Sequence, residues 1–279
     1  MNIILGKNSG FCNGVKYTIN ETEKILKDNN KVYCLGEIVH NEEVIENLTK
    51  KGLIFKDNIN DIPDNETVIL RAHGVSPEIY EIAKQKNLKV YDLTCGKIRI
   101  IHNQVKEIKD SLIILIAKKN HPETIGTQGY NDNIFVIENN EDINKCYSEY
   151  KDIKKIYVIS QTTFSAKLFD ELLTNIKNKF INSKITINKS ICPSTTDRQK
   201  EVIDLSKKVD IMLIIGGKNS SNTKELYNLA VKYCKNTYLI QTEKDIIFNI
   251  NKDATIGIMA GASTSIETVN RVIEKLDRL

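Results

Sequence analysis

The chain has 279 residues, which is too long for one ordinary hydrophobic core and is typical of two or three compact domains. Its 40 Lys and Arg residues stand against 36 Asp and Glu residues, and no basic tract with interleaved aromatic residues indicates nucleic-acid binding. The first residues lack the layout of a signal peptide, and no apolar run approaches the roughly 20 residues of a membrane-spanning helix. We therefore expect a cytoplasmic protein that binds neither nucleic acid nor membrane.

Short apolar segments rich in Ile, Val and Tyr alternate with amphipathic stretches of helical period, which predicts βα units with parallel sheets. The predicted strands fall into three groups: residues 32–38, 53–55, 67–71 and 89–92; residues 112–117, 134–137, 156–159 and 185–188; and residues 211–215, 237–240 and 255–259. Helices are predicted at 77–87, 98–109, 166–180 and 223–234. The third group is one strand short, and we expect residues 3–5 to complete it.

Three cysteines lie at the junctions of these groups. Cys12 lies between two glycines ahead of the first helical pattern, Cys95 follows the first group, and Cys192 follows the second. The predicted domains are therefore residues 14–95, 96–192 and 193–279, with residues 1–13 joining the third. Three such units packed around a common axis would bring the three junctions to one point.

Six cysteines without an export signal do not predict disulfides. A buried, inert thiol is the alternative for any single one of them. Three thiolates from distant positions are suited to a four-iron, four-sulfur cluster with one iron left open to substrate, whereas zinc sites usually draw on closely spaced cysteine pairs. We assign the cluster to the junction cysteines and packing roles to the other three: Cys34, Cys146 and Cys234.

Two polar loops follow apolar strands in each group, and at the carboxyl edge of a parallel sheet such loops bind ligands. His40, His73 and His121 lie in these loops, where helix capping or surface exposure is the alternative. The fourth histidine, His102, lies in a helical pattern, so we expect it to face solvent or pack against a helix. Glu123 lies two residues after His121 and is the natural proton donor among the loop residues.

The third group carries hydroxyl and amide side chains instead of histidines. Residues 219–222 precede a predicted helix and form a strong N-cap sequence, but hydroxyls, an amide and free helix N–H groups also make an anion site. Ser263 lies in the same position before the last helix. Histidines combined with serines and an asparagine are suited to a diphosphate.

These motifs together closely resemble the 4-hydroxy-3-methylbut-2-enyl diphosphate reductase family, in order and over nearly the whole chain. The resemblance is carried by Phe11-Cys12-Asn13-Gly14-Val15, Ile38-Val39-His40-Asn41, Ala72-His73-Gly74-Val75, His121-Pro122-Glu123, Gln161-Thr162-Thr163, Ile191-Cys192, Lys218-Asn219-Ser220-Ser221-Asn222 and Gly261-Ala262-Ser263. It departs at Gly96, where relatives often carry proline, and at Arg71, where a small residue is common.

The resemblance implies the terminal step of the methylerythritol phosphate route to isoprenoids, which is the reductive removal of an allylic hydroxyl to give isopentenyl and dimethylallyl diphosphates. It implies a trefoil of three α/β domains around one 4Fe-4S cluster per chain, in a monomer that takes electrons from reduced ferredoxin or flavodoxin. The residues that it assigns are the cluster ligands Cys12, Cys95 and Cys192; the diphosphate ligands His40, His73, His121, Ser220, Ser221, Asn222 and Ser263; Thr162 near the hydroxymethyl group; and Glu123 in the proton path.

Two other classes of function remain open from the residues alone. A hydrolase or transferase with zinc between the loop histidines and Glu123 would be colourless and active in air. A cluster protein without catalysis, such as an oxygen sensor, would have no use for the serine-rich anion loop.

Overall fold

The computed structural model describes residues 1–29 and 31–279. In this part of the chain twelve strands form three four-stranded parallel sheets. The first sheet contains β2 (Val32–Leu35), β3 (Leu53–Lys56), β4 (Thr67–Leu70) and β5 (Lys89–Asp92). The second contains β6 (Leu112–Ile116), β7 (Ile134–Ile137), β8 (Lys155–Ser160) and β9 (Lys184–Ile187). The third contains β1 (Asn2–Leu5), β10 (Ile211–Ile215), β11 (Thr237–Ile240) and β12 (Thr255–Ala260).

Helices connect the strands, as parallel pairing requires a crossover between successive strands. They are α1 (Asn13–Asp28), α2 (Glu42–Lys50), α3 (Pro77–Gln85), α4 (Gly96–Glu107), α5 (Pro122–Gln128), α6 (Asn140–Tyr150), α7 (Ala166–Lys179), α8 (Pro193–Ser206), α9 (Ser221–Ala230) and α10 (Ile266–Asp277). Two 3-10 turns lie at Ile59–Asp61 and Glu243–Asp245. No helix of the described chain is long and apolar enough to cross a bilayer.

All three sheets have the same strand order. They read β3-β2-β4-β5, β7-β6-β8-β9 and β11-β10-β12-β1, so β1 completes the third sheet beside β12 as predicted. The two central strands of each sheet are β2 and β4, β6 and β8, or β10 and β12. In the first two sheets the chain continues from one central strand to the outer strand on one side of the sheet, and from the other central strand to the outer strand on the opposite side. In an open α/β sheet, ligands usually bind in the cleft beyond the carboxyl ends of two such strands.

The composition of the central strands explains their burial. β6 and β10 read Leu-Ile-Ile-Leu-Ile and Ile-Met-Leu-Ile-Ile, and every one of these residues is buried. Continuous apolar strands are typical of parallel sheets that carry helices on both faces. The prediction of an α/β fold with parallel sheets is confirmed, while the trefoil arrangement around a cluster stays a prediction.

Several element ends differ from the predicted ones by a few residues, and two of them have a clear local reason. The strand predicted at 32–38 ends at Leu35 because Gly36 takes a positive φ of 70°, a conformation that interrupts extended backbone. The helix predicted at 223–234 begins earlier, at Ser221, because the side chain of Ser220 caps it by accepting a hydrogen bond from the Thr223 N–H at 3.3 Å.

The chain divides into two compact units. The first unit comprises Met1–Asn20, Glu37–Lys51 and Pro193–Leu279, and it contains the third sheet. The second comprises Glu21–Gly36 and Gly52–Cys192, and it contains the first and second sheets. The three domains predicted at 14–95, 96–192 and 193–279 stay a prediction.

Candidate functional site

Every residue predicted to bind substrate lies in a loop, or at the start of a helix, that follows the central strand of a sheet. These loops carry His40 after β2 and His73 after β4, His121 and Glu123 after β6 and Thr162 after β8, and Ser220, Ser221 and Asn222 after β10 and Ser263 after β12. The shared strand order therefore gives all six loops the ligand position of their sheet.

The three junction cysteines occupy one repeated position. Cys12, Cys95 and Cys192 each come directly before a helix, which is α1, α4 or α8, and each is partly exposed. The backbone N–H of each donates to a carbonyl in a loop that follows a central strand. Cys12 donates to Ala262 after β12 at 3.0 Å, Cys95 to Ala72 after β4 at 3.0 Å, and Cys192 to Thr162 after β8 at 2.9 Å. A helix N-terminus favours a negatively charged thiolate, so these positions suit cysteines that bind metal.

The other three cysteines are buried in apolar surroundings. Cys34 and Cys146 are fully buried and Cys234 is 5% exposed. Burial raises the pKa of the Cys34 and Cys146 thiols to about 12, which opposes the thiolate that a metal requires. The thiols of the described chain thus divide into a set with accessible helix-end positions and a set packed as small apolar groups, and the first set fits a metal cluster.

Glu123 is a buried carboxylic acid. Its side chain is in α5, the residue is 3% exposed, and burial raises its pKa from 4.5 to about 7. Thr162 opposes this shift with two hydrogen bonds, in which its N–H and its Oγ1 hydroxyl donate to the two carboxyl oxygens, each at 2.7 Å. The carbonyl of Thr162 in turn accepts from Cys192, so one residue connects the acid to a predicted cluster ligand.

His121 is the N-cap of α5. Its Nδ1 accepts a hydrogen bond from the Glu123 N–H at 3.2 Å, so Nδ1 carries no proton and Nε2 is the protonated nitrogen of the neutral ring. The ring of His73 meets that of His121 edge to face, with centroids 5.5 Å apart. The second unit therefore places two imidazoles against each other, and the one bonded to the Glu123 backbone has an N–H that can donate to an anion.

The first turn of α9, which follows the loop after β10, contains buried polar atoms that require a partner. Ser221 and Asn222 are 6% and 4% exposed, and neither the Ser221 hydroxyl nor the Asn222 amide nitrogen has a hydrogen-bond partner within residues 1–29 and 31–279. Both groups are donors at the N-terminus of α9, where helix N–H groups also favour an anion. Orphaned donors at this position fit a phosphate-bearing ligand.

The loop after β2 is attached to the loop after β12 inside the first unit. The Asn41 amide donates to the Ser263 carbonyl at 2.8 Å, and the Ser263 hydroxyl donates to the His40 carbonyl at 3.4 Å. Glu37 lies 2.9 Å from His40 Nδ1 and fixes the orientation of the imidazole. Ser263 does not cap the last helix, because Ser265 fills that position.

His102 is a packing residue, and the alternative that it faces solvent is wrong. It is 3% exposed and stacks on Tyr130 with centroids 4.2 Å apart, and a Cβ on Gly74 would lie 2.6 Å from its ring. Burial lowers the pKa of His102 to about 4, so the ring is neutral at physiological pH. It supports the His73-Gly74 turn from behind.

The two departures from the family pattern have simple structural settings. Gly96 is the first residue of α4, and a Cβ built there would meet nothing within 4 Å. Arg71 is partly buried, and its guanidinium lies against the face of Gly36. Neither departure removes a predicted ligand.

Three supporting contacts were not predicted from the sequence. One is the pairing of Glu37 with His40, which their spacing of three residues in a polar loop could have indicated. The Asn41 amide bond to Ser263 and the double hydrogen bond of Thr162 to Glu123 connect residues far apart in sequence, and no local pattern shows such a contact.

The fold and these loops define a class of protein: an α/β enzyme with anion-binding donors, a buried acid and cysteines suited to a metal centre. A family model described as LytB protein matches residues 3–277. The chain therefore belongs to the LytB family, a family of iron–sulfur enzymes. The predicted membership in the reductase family is confirmed.

Relatives of known name match the whole chain. The 4-hydroxy-3-methylbut-2-enyl diphosphate reductase of Petrotoga mobilis is 37% identical over 100% of this chain and 98% of its own. The enzyme of the same name from Buchnera aphidicola subsp. Schizaphis graminum is 41% identical over 100% of this chain and 91% of its own.

Solved structures agree with these names. The E-1-hydroxy-2-methyl-but-2-enyl-4-diphosphate reductase from Plasmodium falciparum superposes with a TM-score of 0.91 at 33% identity, over 98% of this chain and 87% of that one. A second structure, described as (E)-4-hydroxy-3-methyl-but-2-enyl diphosphate reductase, the terminal enzyme of the non-mevalonate pathway, gives a TM-score of 0.72 at 33% identity, over 100% of this chain and 99% of that one. At family level, the predicted oxidoreductase of isoprenoid synthesis is confirmed.

Proposed function

We propose that this chain reduces (E)-4-hydroxy-3-methylbut-2-enyl diphosphate to isopentenyl and dimethylallyl diphosphates, with one 4Fe-4S cluster per chain held by Cys12, Cys95 and Cys192. The observation that carries the cluster assignment is the repeated position of these cysteines. Each is partly exposed, precedes a helix, and donates its N–H to a loop that follows a central strand. Two of the three acceptor loops contain a predicted substrate residue next to the acceptor, and the third acceptor is Thr162 itself.

The cofactor explains why three cysteines suffice. A cluster held by Cys12, Cys95 and Cys192 would supply electrons one at a time, and its iron without a protein thiolate would be a Lewis acid for a substrate hydroxyl. The protein must contribute the remaining functions, which are to bind the diphosphate, to exclude water and to deliver a proton to the leaving oxygen.

Glu123 is the proposed proton donor. With a pKa of about 7 it is substantially protonated at neutral pH, which an exposed glutamate would not be. The Thr162 hydroxyl donates to Glu123, so the two side chains are in position to share a proton with a substrate hydroxyl near Thr162. We expect turnover to fall as pH rises through about 7, because the acid then loses its proton.

The diphosphate is proposed to bind donors from seven side chains: His40, His73, His121, Ser220, Ser221, Asn222 and Ser263. The orphaned donors of Ser221 and Asn222 support this assignment most directly, since a buried donor without a partner costs about 1–3 kcal/mol and an anion would satisfy it. The same donors argue against a cluster protein that only senses iron or oxygen, which has no ligand for them.

The reaction consumes electrons and protons in equal number, as replacement of a hydroxyl by hydrogen with loss of water requires a pair of each. The allylic C–O bond breaks, the oxygen takes one proton from Glu123 and leaves as water, and the carbon skeleton takes a second proton at either end, which accounts for two products. Reduced ferredoxin or flavodoxin is the proposed donor. A monomeric state and a cytoplasmic location stay predictions.

Anaerobic purification tests the proposal. We expect a brown protein with about four iron and four sulfide per chain that converts the allylic diphosphate to both products when a reductant is supplied. Cys95→Ser should lose iron, whereas Cys34→Ser serves as the matched control and should retain it. A colourless protein with hydrolytic activity in air would overturn the proposal in favour of a zinc enzyme.

A further inference from the structure

The segment Glu37–Lys51 belongs to a different part of the fold from the strands that flank it. It connects β2 to β3 of the first sheet and carries both His40 and α2, yet its contacts group it with the third sheet in the first unit. His40, which we propose binds the diphosphate, therefore shares a compact unit with Ser263 and with the loop after β10. Non-covalent contacts must hold the segment in this unit, because its two ends are joined to strands of the first sheet.

The backbone of His40 is in tight contact with two loops of the third sheet. The Asn41 side-chain amide donates to the Ser263 carbonyl, and the Ser263 hydroxyl donates to the His40 carbonyl. Gly217, in the loop after β10, approaches so closely that a Cβ there would collide with the His40 carbonyl oxygen and lie 3.3 Å from the Asn41 Cα. A small displacement of the segment would therefore move the imidazole relative to the other anion donors.

An ion pair anchors the following helix, α2. Glu43 accepts a hydrogen bond from the Thr268 hydroxyl at 2.7 Å and pairs with the Arg271 guanidinium. The guanidinium also pairs with Glu243 at 3.1 Å, so it is oriented by carboxylates on both sides. Both members of the pair are partly buried, and Glu43 lies in the first turn of α2, three residues after His40.

Gln241 adds a second bridge from the third sheet to α2. Its side-chain oxygen accepts from the Lys218 N–H at 3.1 Å, and its side-chain nitrogen donates to Glu42 at 3.1 Å. The loop that precedes the orphaned donors is thus connected through the Gln241 side chain to the first turn of α2. Together these contacts surround a polar cleft of about 400 Å³, lined among others by Asn41, Glu43, Gln241 and Arg271.

We infer that Glu43 and Arg271 are positioning residues, which hold His40 at the correct distance from Ser263 and from the Ser220–Asn222 loop for joint binding of a diphosphate. The inference rests on the proposed function for the identity of the ligand. Arg271 itself touches none of the predicted ligands and acts through α2. Its removal should weaken diphosphate binding while the electron and proton steps continue.

The test compares Arg271→Gln, the conservative Arg271→Lys, and Arg278→Gln as a matched control. Arg278 caps the same helix and pairs with Glu274 at 3.7 Å in an exposed position. We expect Arg271→Gln to raise the KM for the allylic diphosphate, and the inhibition constant of inorganic diphosphate, by roughly five-fold. The value of kcat and the iron content should stay unchanged, Arg271→Lys should recover most of the affinity, and Arg278→Gln should behave as wild type.

A double-mutant cycle separates positioning from general damage. In a His40→Ala background, Arg271→Gln should cause no further rise in KM, because the side chain that it positions is already absent. Additive effects, or a KM within about two-fold of wild type in Arg271→Gln alone, would overturn the inference. A parallel loss of kcat and iron would overturn it too.

The proposed function can fail separately. If wild type does not reduce the allylic diphosphate, the function is wrong, yet weaker inorganic diphosphate binding in Arg271→Gln would still support the positioning role. If wild type is active and Arg271→Gln binds both ligands normally, the function stands and the positioning role is wrong. Gly217→Ala gives an independent check, since its Cβ would displace the His40 backbone and should raise KM in the same direction.

Discussion

Replacement of Glu123 by Gln tests the central electrostatic feature of the site. Glutamine has nearly the same shape, and its amide can still accept from the Thr162 N–H and donate to the Thr162 hydroxyl oxygen. The variant removes the titration and keeps the packing. We therefore expect it to fold and to retain the colour of the cluster, while turnover falls strongly because no proton is delivered.

The pH dependence of the free energy of unfolding should also depend on Glu123. The folded protein binds the Glu123 proton more tightly than the unfolded chain, with a pKa of about 7 against 4.5. Between these pH values the folded state holds more protons, so the free energy of unfolding decreases as pH rises. At about 1.4 kcal/mol per pH unit, wild type should lose about 3 kcal/mol relative to Glu123→Gln across this range.

Urea unfolding of wild type and Glu123→Gln at a series of pH values from about 4 to 8 measures this difference. Subtraction of the two curves cancels the other titrating groups, which are common to both proteins. The difference should change mainly below pH 7 and become level above it. A pH-independent difference would refute the reasoning, since it would mean that the folded protein leaves this carboxyl with an ordinary pKa. Thr162→Val removes one hydrogen bond to the carboxylate and should move the transition to higher pH.

Gly96→Pro should raise the free energy of unfolding by about 0.5–1 kcal/mol in thermal or urea unfolding, because proline is favoured at the first helical position and a Cβ there meets no neighbour; a loss of stability would contradict this. Gly74→Ala should lower the free energy of unfolding more than the control Gly52→Ala, because both glycines have positive φ but only Gly74 faces the His102 ring. Equal losses of stability would show that contact with this ring makes no contribution. In the cluster-free protein, an alkylating reagent at pH 8 should modify Cys192 much faster than Cys34, whose buried thiol has a pKa of about 12, as mass spectrometry can show; equal rates would count against the division of the thiols.

The order of residues was sufficient to predict the sheets and the chemistry of their loops. Apolar runs between helical patterns fixed the central strands, since a strand buried on both faces must be apolar throughout. The placement of three cysteines at the junctions of the strand groups, and of a polar loop after each central strand, followed from the order of residues alone. The missing strand of the third sheet was found from the requirement that backbone groups be paired, and β1 supplies it.

Which of these loops support one another depends on tertiary packing and could not be predicted. The pairing of Thr162 with Glu123, the burial of His102 behind Gly74, and the ion pair of Glu43 with Arg271 join residues whose separation in sequence has no period. The perturbed acidity of Glu123 likewise depends on what surrounds the carboxyl, and an isolated Pro-Glu sequence gives no indication of burial. Local patterns reflect the geometry of one strand or helix, whereas these contacts depend on how whole elements pack.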